Sequence, residues 1–263
     1  MKNVAIVTLK GIFRDRIFHG ILVNVAFFVL IPSIATLSMR QVTELSLTLS
    51  LSLVSFILLL LSIFLGGTLL WKDIERRYTY SVLGLPLTRG RYLLGKFAGT
   101  AIFTLFVSIV LGVATYLVVS WVSIIYPPER AILWGNLTVC ILFEALKYIL
   151  VIAVAFLFSS VSTSFFLPVF GTISIFLAGN VTQQVYEYIH SASGSALSPL
   201  VCQVAVGLYY ILPNFSAFDL KVNAIYGIPI SLSGTLLTFV YFVLYAAIVL
   251  GLAVLVLSRR EMR

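Results

Sequence analysis

Six stretches of the sequence, at about 17–37, 45–71, 97–122, 133–158, 165–185 and 236–257, run for twenty residues or more, and only the fourth contains charged residues. A helix rises about 1.5 Å per residue, so roughly twenty apolar residues cross about 30 Å of hydrocarbon. The composition leaves no soluble alternative. Of the 263 residues 61% are hydrophobic and 10% charged, whereas a soluble domain has about 45 to 50% and about 25%. Too few polar groups remain to coat a globular core, so the outside faces lipid. The expected fold is an all-α, polytopic membrane protein of six transmembrane helices in a single transmembrane domain spanning residues 1–263.

Net charge is +8, from 17 Lys and Arg against 9 Asp and Glu, and the placement of the basic residues decides what it means. Thirteen fall in the segments on one side: before the first run, between the second and third, and after the sixth. Three, Arg40, Arg130 and Lys221, fall on the other side, and Lys147 lies inside the fourth run. Basic residues collect in cytoplasmic loops, so this asymmetry predicts both termini inside and an even number of crossings. A nucleic-acid reading of the charge therefore drops away.

The stretch before the first run, residues 1–16, reads as an N-terminal amphipathic helix with Ala5, Leu9, Ile12 and Phe13 on one side and Lys10 and Arg14 toward another. A plain basic flank that sets orientation is the alternative. The apolar residues here are too interrupted by Lys10 and Arg14 for a cleaved signal peptide. A shorter run, 201–212, is stopped by Pro213 and predicts a re-entrant or interfacial segment. It belongs to an outer loop, 186–235, whose charged residues are Glu187, Asp219 and Lys221. Cys140 and Cys202 have no metal-type spacing, and His19 and His190 stand alone, so no metal, cofactor or catalytic residue is expected in this chain. Pro32 and Pro168 predict kinks in the first and fifth spans unless they sit at span ends.

The loop at 72–96 between the second and third runs is the most informative segment. It holds Lys72, Arg76, Arg77, Arg89, Arg91 and Lys96 against Asp73 and Glu75, with apolar Val82, Leu83, Leu85 and Leu87 between them. Pro86 followed by Thr88 predicts a break and a helix cap. A charged loop with an apolar anchor suits docking of something outside the membrane. Gly90 and Gly95-Lys96 have the spacing of a phosphate-binding loop, but Phe97 stands where the magnesium-binding hydroxyl belongs, so nucleotide binding by this chain is not expected.

The run Asp73 to Arg77, then Leu83-Gly84-Leu85-Pro86-Leu87-Thr88-Arg89, then Tyr92 and Gly95-Lys96, resembles the coupling region of the type-two exporter permeases of ATP-binding-cassette (ABC) transporters. That family includes permeases for nitrous-oxide-reductase maturation and for drug and polysaccharide export. The resemblance implies an inner-membrane (cytoplasmic-membrane) exporter subunit that forms a homodimer or pairs with a second permease. It also implies two cytoplasmic ATPase subunits that bind ATP and magnesium in place of this chain. Asp73, Glu75, Arg76, Arg77, Leu83, Pro86 and Arg89 would then make the ATPase contact, and short outer helices after the fifth span would cap the pathway.

Inside the fourth run, Glu144 and Lys147 share a helix face at i and i+3 and are close enough to pair. A charge at the bilayer centre costs about 2.5 to 3.5 kcal/mol on insertion scales, so both should point inward. They are read either as a pathway or gate position or as an ion pair that fixes packing. They are also the feature that would serve a secondary transporter, the alternative function. A membrane-embedded enzyme would need paired acids, a His cluster or a nucleophile with its base, and the sequence has none of these.

Overall fold

The computed structural model describes residues 2–14, 20, 26–37, 41–75, 88–128, 130–191 and 198–259; the side chains of Arg14, Ile74 and Glu75 lie outside that description. The described residues are helical with no strand. Helix α1 is Lys2–Arg14, a 3-10 turn covers Phe27–Leu30, and α2 is Ile31–Ala35. The long helices α3 (Val42–Glu75), α4 (Arg89–Ile125), α5 (Trp134–Val161) and α6 (Phe166–Ile189) follow. Then come α7 (Pro199–Ile211), a 3-10 turn at Ser216–Phe218, α8 (Lys221–Tyr226) and α9 (Leu232–Arg259).

Five helices, α3 to α6 and α9, are long and apolar enough to cross a membrane, and the bent pair of α7 with the segment Ser216–Tyr226 makes a sixth if it is one span. The shortest of the five has 24 residues, about 36 Å at 1.5 Å per residue. The chain is therefore a multi-pass membrane protein. Two boundaries move relative to the sequence reading: α3 continues to Glu75 and α4 begins at Arg89, so both helices overrun the hydrocarbon at the end rich in Lys and Arg. The Thr88 side chain caps α4 by accepting the Arg91 N–H at 3.4 Å, as the sequence predicts.

Helix α5 is the axis of the bundle. From Tyr148 to Phe156 every residue is buried, which is the pattern of a helix surrounded by protein on all sides. Helices α3, α4, α6 and α9 pack around it, and α3 comes close where Gly66 lies under Ala155: an added Cβ would sit 2.8 Å from the Ala155 Cβ. By contrast α9 exposes Leu236, Leu237, Leu244 and Ile248, a face fit for lipid.

Helix α1 does not lie apart from the bundle. Ala5, Thr8 and Ile12, spaced i, i+3 and i+7, are buried against α4, and Phe13 stacks edge-on with Phe103 and Phe106. Gly99 permits the approach, since a Cβ there would meet the Ala5 carbonyl and the Thr8 Cβ at 2.9 Å. Residues 17–19 and 21–25 of the expected first span, 17–37, lie outside the described residues. Its described end is the 3-10 turn and α2, packed on α3 and α4. Pro32 sits in the first turn of α2 and Pro168 in the first turn of α6, so neither kinks a helix interior.

The segment after α6 is a bent pair of helices, by length and composition either a broken span or a re-entrant hairpin. Ser198 caps α7 by accepting the Val201 N–H at 3.4 Å, and the helix stops at Ile211, two residues before Pro213. The chain bends by 52°, and its tip rests on α6 ten residues before that helix ends. There the Phe215 N–H donates to the Gly179 carbonyl at 3.2 Å, and Ser216 Oγ donates to the Asn180 carbonyl at 2.6 Å. Helix α8 then climbs back beside α5, with Ala224 buried against Leu137, Cys140 and Ile141. Asn136, in the first turn of α5, receives the returning chain by donating from Nδ2 to the Ile228 carbonyl at 2.8 Å and the Asn223 carbonyl at 3.2 Å. Ten residues correspond to about 15 Å, so the tip lies about that far along α6 from its end.

Gly179 is the position on which this hairpin depends. A Cβ there would lie 2.3 Å from the Pro213 carbonyl oxygen and 2.7 Å from the Phe215 ring. Gly179→Ala should lower the thermal midpoint in detergent by an amount equivalent to about 1 to 3 kcal/mol, the usual cost of overpacking. Gly207→Ala, which meets nothing within 4 Å, should be neutral in the same scan.

Candidate functional site: the basic end and the buried charges

At the basic end, the last turns of α3 and the first of α4 are clamped together. Lys96 Nζ forms a salt bridge with Asp73 and donates to the Leu69 carbonyl at 2.8 Å. The Tyr92 hydroxyl donates to the same Asp73 carboxylate, and the Lys96 ammonium lies 5.6 Å from the centre of the Tyr92 ring. Arg89 reaches a third helix. Its guanidinium donates to the carbonyls of Leu257 at 3.4 Å and Ser258 at 3.2 Å, which supplies a cation to the C-terminal end of α9.

These contacts place two of the coupling candidates. Asp73 and Arg89 hold the base of the loop to the bundle, whereas the Glu75 side chain, Arg76, Arg77, Leu83 and Pro86 lie outside the described residues. The phosphate-loop spacing is accounted for by packing. Gly90 abuts Val254 of α9, where a Cβ would sit 2.9 Å from a Val254 methyl, and Lys96 is buried on Asp73.

The second charged site is at the depth of the hairpin tip. Glu144 is fully buried, and its Oε1 lies 3.3 Å from Lys221 Nζ, at the start of α8. Among the described residues neither carboxylate oxygen accepts a hydrogen bond. The pairing of Glu144 with Lys147 expected from the helix spacing is thus replaced by a pairing across the fold. Lys147 instead turns its ammonium over aromatic rings, 5.6 Å from the centre of Phe176 and 5.8 Å from that of Tyr148. Asp219 stays near by accepting the Lys221 N–H on Oδ1 at 3.2 Å. The i, i+3 rule places two side chains on one face but says nothing about a third group arriving from a segment 77 residues away in the chain.

A buried carboxylate stripped of water is held in place by the cation that faces it, and removing that cation alone is the damaging change. Lys221→Met should therefore destabilise the protein, by up to about 3 kcal/mol, measured as loss of thermal midpoint in detergent. The double variant Glu144→Gln with Lys221→Met should recover most of that loss; equal loss in both would show that the two groups do not depend on each other. Among the described residues no three His, Cys, Asp or Glu side chains cluster as metal ligands would. No protein-family model matches the chain, and no curated protein matches it.

Proposed function

We propose that the chain is the membrane-spanning permease subunit of an ATP-driven ABC transporter, an exporter of the cytoplasmic membrane whose ATP is hydrolysed by separate subunits docked at its basic end. The observation that carries this reading is the construction of that end. The loop between α3 and α4 springs from two helices locked by Asp73, Lys96 and Tyr92, and α4 is tied through Arg89 to the end of α9. A push on such a loop is passed to three long helices at once rather than absorbed by a flexible connection. The charge excess of the loop supplies a polar rim and its leucines an apolar anchor, which is what an interface with a soluble partner requires.

In this reading both termini and the 72–96 loop face the cytoplasm, the re-entrant hairpin faces outward, and two copies of the chain sit over two ATPases. A secondary transporter is the second reading, favoured by one observation, the fully buried Glu144, since an intramembrane carboxylate is a candidate ion or proton site.

The purified chain alone should hydrolyse no ATP, and a soluble ATPase encoded beside it should co-purify with it. Replacing Glu75, Arg76 and Arg77 together by Ala should weaken that association about tenfold, roughly 1.4 kcal/mol. Unchanged binding would overturn the docking assignment. In a background with Cys140→Ser and Cys202→Ser, a Tyr80→Cys variant should react with a membrane-impermeant thiol reagent only from the cytoplasmic side.

A further inference from the structure

A half-open cavity of about 380 Å³ lies between α9 and the bent segment after α6, lined by Tyr209, Tyr210, Tyr241 and Tyr245 with Asn214 and Thr238 among its other residues. Four tyrosines on two separate elements are an unusual lining, and their hydroxyls are largely occupied elsewhere. The Tyr209 hydroxyl donates to Gln183 Oε1 at 3.2 Å, and that of Tyr245 donates to the Ile211 carbonyl at 2.7 Å. The Tyr241 hydroxyl accepts the Asn214 N–H at 2.9 Å. These bonds fix three of the four rings, and aromatic rings make up half of the lining residues. Within each pair the rings are inclined: Tyr241 and Tyr245 lie 5.6 Å apart at 40°, and Tyr209 and Tyr210 lie 5.4 Å apart at 75°.

The electrostatics favour one class of ligand. An aromatic face carries partial negative charge and attracts cations. None of the lining residues is charged, so an anion would find no counter-charge there. The charged group joined to this wall is an acid: Gln183, which receives Tyr209 and also Asn214 Nδ2 at 2.8 Å, donates from Nε2 to Glu187 at 2.6 Å. A primary ammonium such as that of lysine holds its water strongly. A methylated ammonium does not, and inclined aromatic rings are the setting in which proteins bind it.

We propose that this cavity is a binding site for a quaternary, methylated ammonium group, as carried by choline, with the tyrosine rings as its main walls and Glu187 joined to that wall through Gln183. The group could arrive as a free molecule or as a phosphatidylcholine headgroup, and the same chemistry would hold either. The site stands apart from the transporter reading, because it is read on the chain alone without an ATPase.

The test uses the full chain in phosphatidylglycerol nanodiscs. Binding of choline is compared with that of 3,3-dimethylbutan-1-ol, which has the same shape without the charge, by saturation-transfer NMR of the methyl protons. Choline should bind about tenfold more tightly than the neutral analogue, since each ring in contact contributes a factor of about two to five. Tyr210→Leu, at an exposed position that should fold normally, should weaken choline by about that single-ring factor, and Tyr210→Phe should bind as the parent does. Equal affinity for the two probes, no choline binding, or Tyr210→Leu binding as tightly as the parent would each overturn the proposal. Repeating the measurement in phosphatidylcholine nanodiscs identifies the source: a weaker apparent affinity for free choline assigns the site to the lipid headgroup, and an unchanged one to the free molecule.

Discussion

In hydrocarbon there is no water to satisfy a peptide group, and that requirement shapes every part of this molecule that is not a straight helix. The bent segment after α7 is the severe case, because its tip is irregular backbone packed inside the helix bundle. Each turn of the chain there finds a partner inside the protein. Asn214 N–H is taken by the Tyr241 hydroxyl, Phe215 N–H by the Gly179 carbonyl, Ala217 N–H by Asn214 Oδ1 and Lys221 N–H by Asp219 Oδ1. The asparagines, tyrosines and glycine of this region are therefore best understood as backbone partners held at the right place by α6 and α9. The Tyr cavity forms as a by-product of the same arrangement.

Charge follows the same economy. The protein buries Glu144 at the core, and it brings the compensating ammonium on α8, from a segment distant in the chain. At the basic end the opposite logic operates. Asp73, Lys96 and Tyr92 belong to helix ends close together in the chain, and there a hydrogen-bonded ion pair, with Lys96 buried, stiffens the junction of α3 and α4. One pair thus holds the hairpin down, and the other holds two helices together at the root of a loop.

The helices were legible because length and polarity are written in consecutive residues. The runs at 45–71, 97–122, 133–158, 165–185 and 236–257 are all helical in the structure. Local punctuation was legible too: Thr88 caps α4, and α7 stops short of Pro213. What the linear pattern could not show were contacts between residues distant in sequence. Nothing near Glu144 announces Lys221, so the neighbour at i+3 looked like its partner. Arg89 read as an ATPase contact because the carbonyls it meets are 168 and 169 residues away. The burial of Ala5, Thr8 and Ile12 along α4 was hidden for a similar reason, since amphipathic spacing identifies a face but not whether lipid or another helix will cover it.

The separation of Glu144 from Lys221 also bears on how the chain is made. Seventy-seven residues must be synthesised between the two, which at about 5 to 20 residues per second takes roughly 4 to 15 seconds. Throughout that interval Glu144 lacks the ammonium that faces it in the folded chain. The entry of α5 into lipid must rest on the leucines, isoleucines and valines of its other half, or wait at the translocation machinery until the hairpin arrives. A contact made late in synthesis would then be the one that lets the most central helix settle.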